Sequence, residues 1–195
     1  TTGTDAAHVV AQLDELPVSA TDFRMPTGYA PVWISVAEGS PHPWLELQAT
    51  VTGPPGSMKT NGGTVGGELK TDSYAAYATY LKSFYTYMGG AGGAVDIISV
   101  QNEPNISVSY DSATWSATQL FNFTKNNAQD IGAPYMMPET FNYDTSYSDS
   151  SLNDATAESH IAYIGLHLYG AKMKTYTLAV QKQKKIWMTE YYFNP

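Results

Sequence analysis

Among the 18 acidic residues, Glu103 and Glu190 stand where a carboxylate could do chemistry. Glu103 follows Val95-Asp96-Ile97-Ile98-Ser99-Val100-Gln101-Asn102, and Glu190 follows Lys185-Ile186-Trp187-Met188-Thr189. Each closes a run that reads as a β-strand. Hydrolysis of a glycosidic bond with retention needs two carboxyls about 5–5.5 Å apart, one holding a proton for the leaving oxygen and one ionised to attack carbon. The two glutamates lie 87 residues apart. At roughly 30 residues per βα unit, that spacing sets them three strands apart on one barrel rim, facing each other across its mouth. A lone strand-end glutamate is most simply a surface carboxylate; two in these contexts favour the paired chemistry.

Neighbouring residues extend the candidate site. Asn102 is placed to bond a sugar hydroxyl, and Pro104 restricts the backbone after Glu103 and helps end the strand. Glu139 ends a further strand and reads as a supporting or structural carboxylate. His167 and Tyr169 sit at another strand end, and Tyr143, Tyr147, Tyr191 and Tyr192 are each a possible sugar stacker or a core ring. His8, His42, His160 and His167 show no His-x-x-x-His spacing, so neither a metal nor a cofactor is expected.

Elements that would position these residues recur along the chain. Strands are expected at Leu47 to Val51, Val95 to Val100, Tyr135 to Pro138, Ala162 to Leu168 and Lys185 to Thr189. Helices are expected at Ser73 to Met88, Ser116 to Gln129, within Ser148 to Ser159, and at Thr175 to Gln181. Val32 to Val36 reads as an additional strand in a proline-interrupted N-terminal stretch. Alternating strands and helices imply a parallel sheet with helices outside it. An open doubly wound sheet also fits, but polar residues at several strand ends favour a (β/α)8 TIM-type barrel. A full barrel takes about 250 residues, so 195 residues are expected to form a single, incomplete barrel domain.

Composition narrows the partners. Fifteen tyrosines and only 14% charged residues suit a carbohydrate surface, or equally a tyrosine-rich core. A formal net charge of −8 argues against nucleic acid and anionic membranes. Cysteine is absent, and nothing approaches 18 consecutive apolar residues, so no membrane span is expected. The N-terminus lacks a charged-then-apolar leader, from which any signal peptide is expected to have been removed already.

Taken in order, several segments resemble glycoside hydrolase family 30, in particular its bacterial endo-xylanase and glucuronoxylanase branch. They are Pro55-Gly56-Ser57-Met58-Lys59-Thr60-Asn61-Gly62, Gln101-Asn102-Glu103-Pro104-Asn105, Met137-Pro138-Glu139, His167-Leu168-Tyr169-Gly170 and Trp187-Met188-Thr189-Glu190-Tyr191-Tyr192. The resemblance spans roughly residues 50 to 193. It implies a retaining endo-β-1,4-xylanase acting by double displacement, with Glu103 as acid/base and Glu190 as nucleophile. Asn102, Trp115, His167, Tyr169 and Tyr192 would contact substrate, with Trp115 flanking the xylan cleft or, on the residues alone, serving as a core ring. A secreted monomer acting on xylan is the corresponding expectation. The chain departs from the family at Thr52-Gly53, where a Trp-Ser pair is usual, and it ends at Pro195 before an eighth strand, a β-sandwich side domain and a glucuronate-gripping arginine would follow. Two other readings stay open: a xylan-binding domain that does not cut, and another family activity such as a β-glucosidase or β-1,6-glucanase.

Overall fold

A computed structural model describes residues 32–37, 46–90 and 94–191. One six-stranded sheet runs through it in sequence order: β1 (Val32–Ala37), β2 (Glu46–Val51), β3 (Ile97–Ser99), β4 (Tyr135–Thr140), β5 (Ile161–Leu168) and β6 (Lys185–Tyr191). β2 to β6 are parallel and curl into part of an α/β barrel. The five strands expected after residue 46 are all present, with ends moved by at most two residues.

β1 is antiparallel to β2, with Val32 opposite Val51 and Ala37 opposite Glu46. Chain length explains its direction. Only residues 38–45 separate the two strands, fewer than the dozen or so a parallel crossover requires.

Helices cover the outer face. α1 (Tyr74–Gly90) buries Tyr74, Tyr77, Ala78, Leu81, Phe84 and Met88, a three- and four-residue rhythm that makes one apolar stripe. α2 (Ala117–Asn126) begins with a reciprocal cap: the Ser116 hydroxyl accepts from the Gln119 amide, and the Gln119 side chain accepts from the Ser116 amide. The expected helix over 148–159 is two helices, α3 (Ser146–Asn153) and α4 (Ala155–His160). Asp154 divides them, because its carboxylate caps α4 by accepting from the Thr156 and Ala157 amides. α5 (Thr177–Gln181) precedes β6.

Strand alternation divides the sheet into two buried faces. Ala49, Val51, Ile98, Val100, Tyr135, Met137, Ile164 and Leu166 join the helix stripes in one apolar core. The alternate positions Gln48, Thr50 and Ser99 are equally buried, at 0–3% exposure, although polar. They face the inside of the curl. The Gln48 amide donates to Thr50 Oγ1 at 2.6 Å and to Glu139 Oε1 at 3.0 Å.

Candidate active site

Two irregularities aim side chains into the curl. The β4–β5 register shifts between Pro138 and Thr140, and Glu139 takes a left-handed backbone (φ 56°). Strict alternation would send Glu139 to the same side as Met137, into the apolar core. The extra residue turns it inward instead. The β5–β6 register shifts between Leu166 and His167, so the successive residues Thr189 and Glu190 both reach the interior. Glu103 follows β3 with φ 44°, its amide donating to the Glu139 carbonyl at 3.0 Å, while the Asn102 amide donates to the Val51 carbonyl at 2.8 Å. Left-handed non-glycine residues of this kind cost energy and persist where surrounding bonds hold them.

These four elements converge on His167, which is fully buried. Its Nδ1 lies 3.1 Å from Glu103 Oε1 and 3.5 Å from Glu190 Oε2, and its Nε2 lies 2.9 Å from Glu139 Oε2. Burial alone would pull the imidazole down. Hydrogen bonds to Glu103 and Glu139, with the charges of Glu139 and Glu190, outweigh it and push His167 up to about 10. At neutral pH it is therefore an imidazolium donating from both nitrogens. Burial raises the Glu190 carboxyl, with Glu139 and Glu103 adding to the rise and His167 and Tyr169 opposing it.

Glu139 is 1% exposed and takes hydrogen bonds from His167, from Gln48 Nε2 and, at 2.9 Å, from Thr189 Oγ1. Gly165 makes room for it. A methyl group built there would strike the Glu139 carboxylate and come within 2.6 Å of Met136 Sδ. The Tyr169 hydroxyl donates to Glu190 Oε2 at 2.5 Å, and its ring stacks on Phe141. The Tyr110 hydroxyl donates to Glu103 Oε2 at 3.0 Å; burial and the Glu103 charge push that phenol up to about 12.

Of the residues expected from sequence, Glu103, His167, Glu190 and Tyr169 form one connected chain of contacts, and Asn102 adjoins Glu103. Tyr192 lies outside the described residues. Trp115 is a correction. It is 3% exposed, with its ring against Tyr74, Tyr77 and Phe123, so no face is open to a sugar. Its indole N–H donates to Gln101 Oε1 at 3.2 Å, which braces the segment leading into Asn102 and Glu103.

Sequence reasoning passed over Tyr110, Gln48 and Thr189. Tyr110 lies in the Tyr110-to-Trp115 segment, yet nothing in its spacing separates it from the other tyrosines. One oxygen each of Glu103 and Glu190 and a ring nitrogen of His167 come within 4.8 Å of one another. Such a cluster is invisible to local His spacing, because three different strands supply it.

No family model matches the sequence. The glucuronoxylanase XynC of Bacillus subtilis strain 168 is 36% identical over 148 residues, covering 72% of this chain and 35% of the relative. The chain thus spans about a third of the curated relative's length. A solved xylanase, Xyn30A of Clostridium acetobutylicum, from glycoside hydrolase family 30 subfamily 8, superposes with a TM-score of 0.72 at 42% identity. It covers 75% of this chain and 40% of that one. A family 30 endoxylanase from Clostridium papyrosolvens C71 gives a TM-score of 0.66 at 37% identity, over 74% of this chain and 39% of its own. Motifs, curled sheet and relatives agree, and the chain belongs to glycoside hydrolase family 30.

Proposed function

We propose that this chain carries the catalytic pair of a retaining endo-β-1,4-xylanase, with Glu190 as nucleophile and Glu103 as acid/base. The observation that carries the reading is the approach of a Glu103 oxygen and a Glu190 oxygen to within 4.8 Å. Retaining enzymes hold their carboxyls about 5–5.5 Å apart, whereas inverting ones leave about 6.5–9.5 Å for a water. Xylanase relatives at 36–42% identity support xylan as the substrate.

In the first step Glu190 attacks the anomeric carbon and forms a glycosyl ester, while the proton of Glu103 passes to the departing oxygen of the chain. In the second, Glu103 takes a proton from water, the water oxygen bonds to the anomeric carbon, and Glu190 leaves as a carboxylate. Negative charge moves from Glu190 to Glu103 and back. The His167 imidazolium lies between the two and stabilises whichever is charged. Tyr169 orients Glu190. Asn102 Oδ1, buried and without a hydrogen-bond partner among the described residues, is left to accept from a sugar hydroxyl. Xylan lies outside cells, so the reading carries with it a secreted protein, acting as a monomer.

The test is product analysis on xylan and glucuronoxylan with the wild type, Glu103→Gln and Glu190→Gln. Glu103→Gln is expected to lose about 10²–10⁴-fold in activity, and Glu190→Gln at least as much, with native circular dichroism in both. Wild-type-like turnover in either variant would overturn the assignment. A wild type that binds xylan without releasing reducing ends would make the chain a binding module.

A further inference from the structure

Lys59 is a fully buried lysine to which the proposed reaction gives no role. Its ammonium donates to the Thr64 carbonyl at 2.5 Å and to the Ser112 carbonyl at 2.7 Å. Burial lowers this amine, opposed by the charge of Asp111. Burying an ammonium is costly unless it is well bonded. A methylene stem would fill the same space without that cost, so the charged end has to be explained by what it joins.

It joins two segments far apart in sequence. One is the glycine-rich stretch between β2 and α1, residues 56–70. The other is residues 110–114, after Glu103. Around the ammonium the two are laced together. The Ser112 amide donates to the Thr64 carbonyl at 3.1 Å, and the Thr114 amide to the Gly67 carbonyl at 2.9 Å. The Gly66 amide donates to Ser112 Oγ at 3.0 Å, and Val65 bridges Asp111. Gly53 allows the close approach, since a Cβ there would lie 2.9 Å from the Ser112 carbonyl carbon.

Ser112 Oγ then donates to the Tyr110 carbonyl at 2.9 Å, and the Tyr110 hydroxyl donates to Glu103. Tyr110 is 48% exposed, so packing alone does not hold its ring. Its location depends on the backbone behind it.

We infer that Lys59 and Ser112 are positioning residues: they fasten the glycine-rich loop to residues 110–114 and thereby hold Tyr110 against Glu103, fixing the orientation of the acid/base carboxyl. Glu103 is then gripped from two sides, by Tyr110 on Oε2 and by His167 on Oε1. The inference rests on the acid/base reading of Glu103, and the experiment separates the two.

Kinetics on xylan are compared with kinetics on a dinitrophenyl β-xylobioside, whose leaving group departs without proton donation. Tyr110→Phe loses one hydrogen bond to a carboxyl that becomes charged as it gives up its proton and is expected to lower kcat/KM on xylan about 10–100-fold, with a smaller loss on the activated substrate. Lys59→Met is expected to show the same substrate-dependent pattern. Combined with Tyr110→Phe, it should add little, because both act on one contact. Ser112→Ala serves the same purpose if Lys59→Met does not fold. Equal losses on both substrates, or additive losses in the double variant, would overturn the inference.

Amide hydrogen exchange gives a readout without activity. Exchange at Gly66, Ser112 and Thr114 should accelerate in Lys59→Met or Ser112→Ala while α1 amides stay protected. Unchanged exchange at those three amides sinks the clamp even if the enzyme is inactive. Absence of any hydrolysis by the wild type defeats the functional reading and leaves the exchange result to decide the clamp.

Discussion

Across β2, β3 and β4 the two faces of the sheet are buried to the same degree and built from different chemistry. Outward, Ala49, Val51, Ile98, Val100, Ile164 and Leu166 meet the helix stripes with no polar atom to satisfy. Inward, Gln48, Thr50, Glu139 and His167 are as dry, and Gln48 and His167 both donate to Glu139. Burial therefore does not mark the site; the hydrogen-bonding demand of what is buried does. An apolar face loses stability in proportion to the volume removed. A polar network in low dielectric depends on every member, since an unpaired buried group is expensive.

Substitutions on each face can break this contrast. Leu81→Ala, on the helix side, is expected to cost about 2–5 kcal/mol in urea unfolding while leaving kcat per folded molecule unchanged. A proportionate loss of kcat would mean that the faces are coupled. Gly165→Ala, on the inner side, forces a methyl group onto the Glu139 carboxylate and is expected to cost about 1–3 kcal/mol. Xylan hydrolysis should fall with it, because Glu139 holds His167. Full activity in that variant would show that the third carboxylate is dispensable.

The smallest expected effect is a slope. His167 binds its proton more tightly folded, at about 10, than unfolded, near the ordinary 6.5. Its stabilisation is complete below about pH 6.5 and is lost as pH rises through 10. Thermal midpoints of the wild type should therefore decline across that window more steeply than those of His167→Gln. Parallel curves would mean that the inner face does not hold an imidazolium.

Much of this molecule was legible in one dimension. Five strands and the long helices follow from period and punctuation, and Glu103 and Glu190 stood out because both close apolar runs. Other features were not legible. Leu47 to Val51 alternates as though one side met solvent, yet Gln48 and Thr50 are buried at 1% and 3% exposure. Period identifies the two sides of a strand but not what covers each of them. Trp115, read from the family as a cleft residue, lies in the aromatic core, because only packing decides whether a ring face is occupied.

By itself the sequence determined which residues could do acid–base and nucleophilic chemistry, and on which elements they lie. Tertiary structure alone decided that Glu139 turns inward, that Thr189 and Glu190 both reach the interior, and that a buried imidazolium lies among three carboxylates. The physical reason is that side-chain direction in a strand alternates with a period of two, so one extra residue reverses it. Such a shift in register is a relation between strands and has no signature within either one.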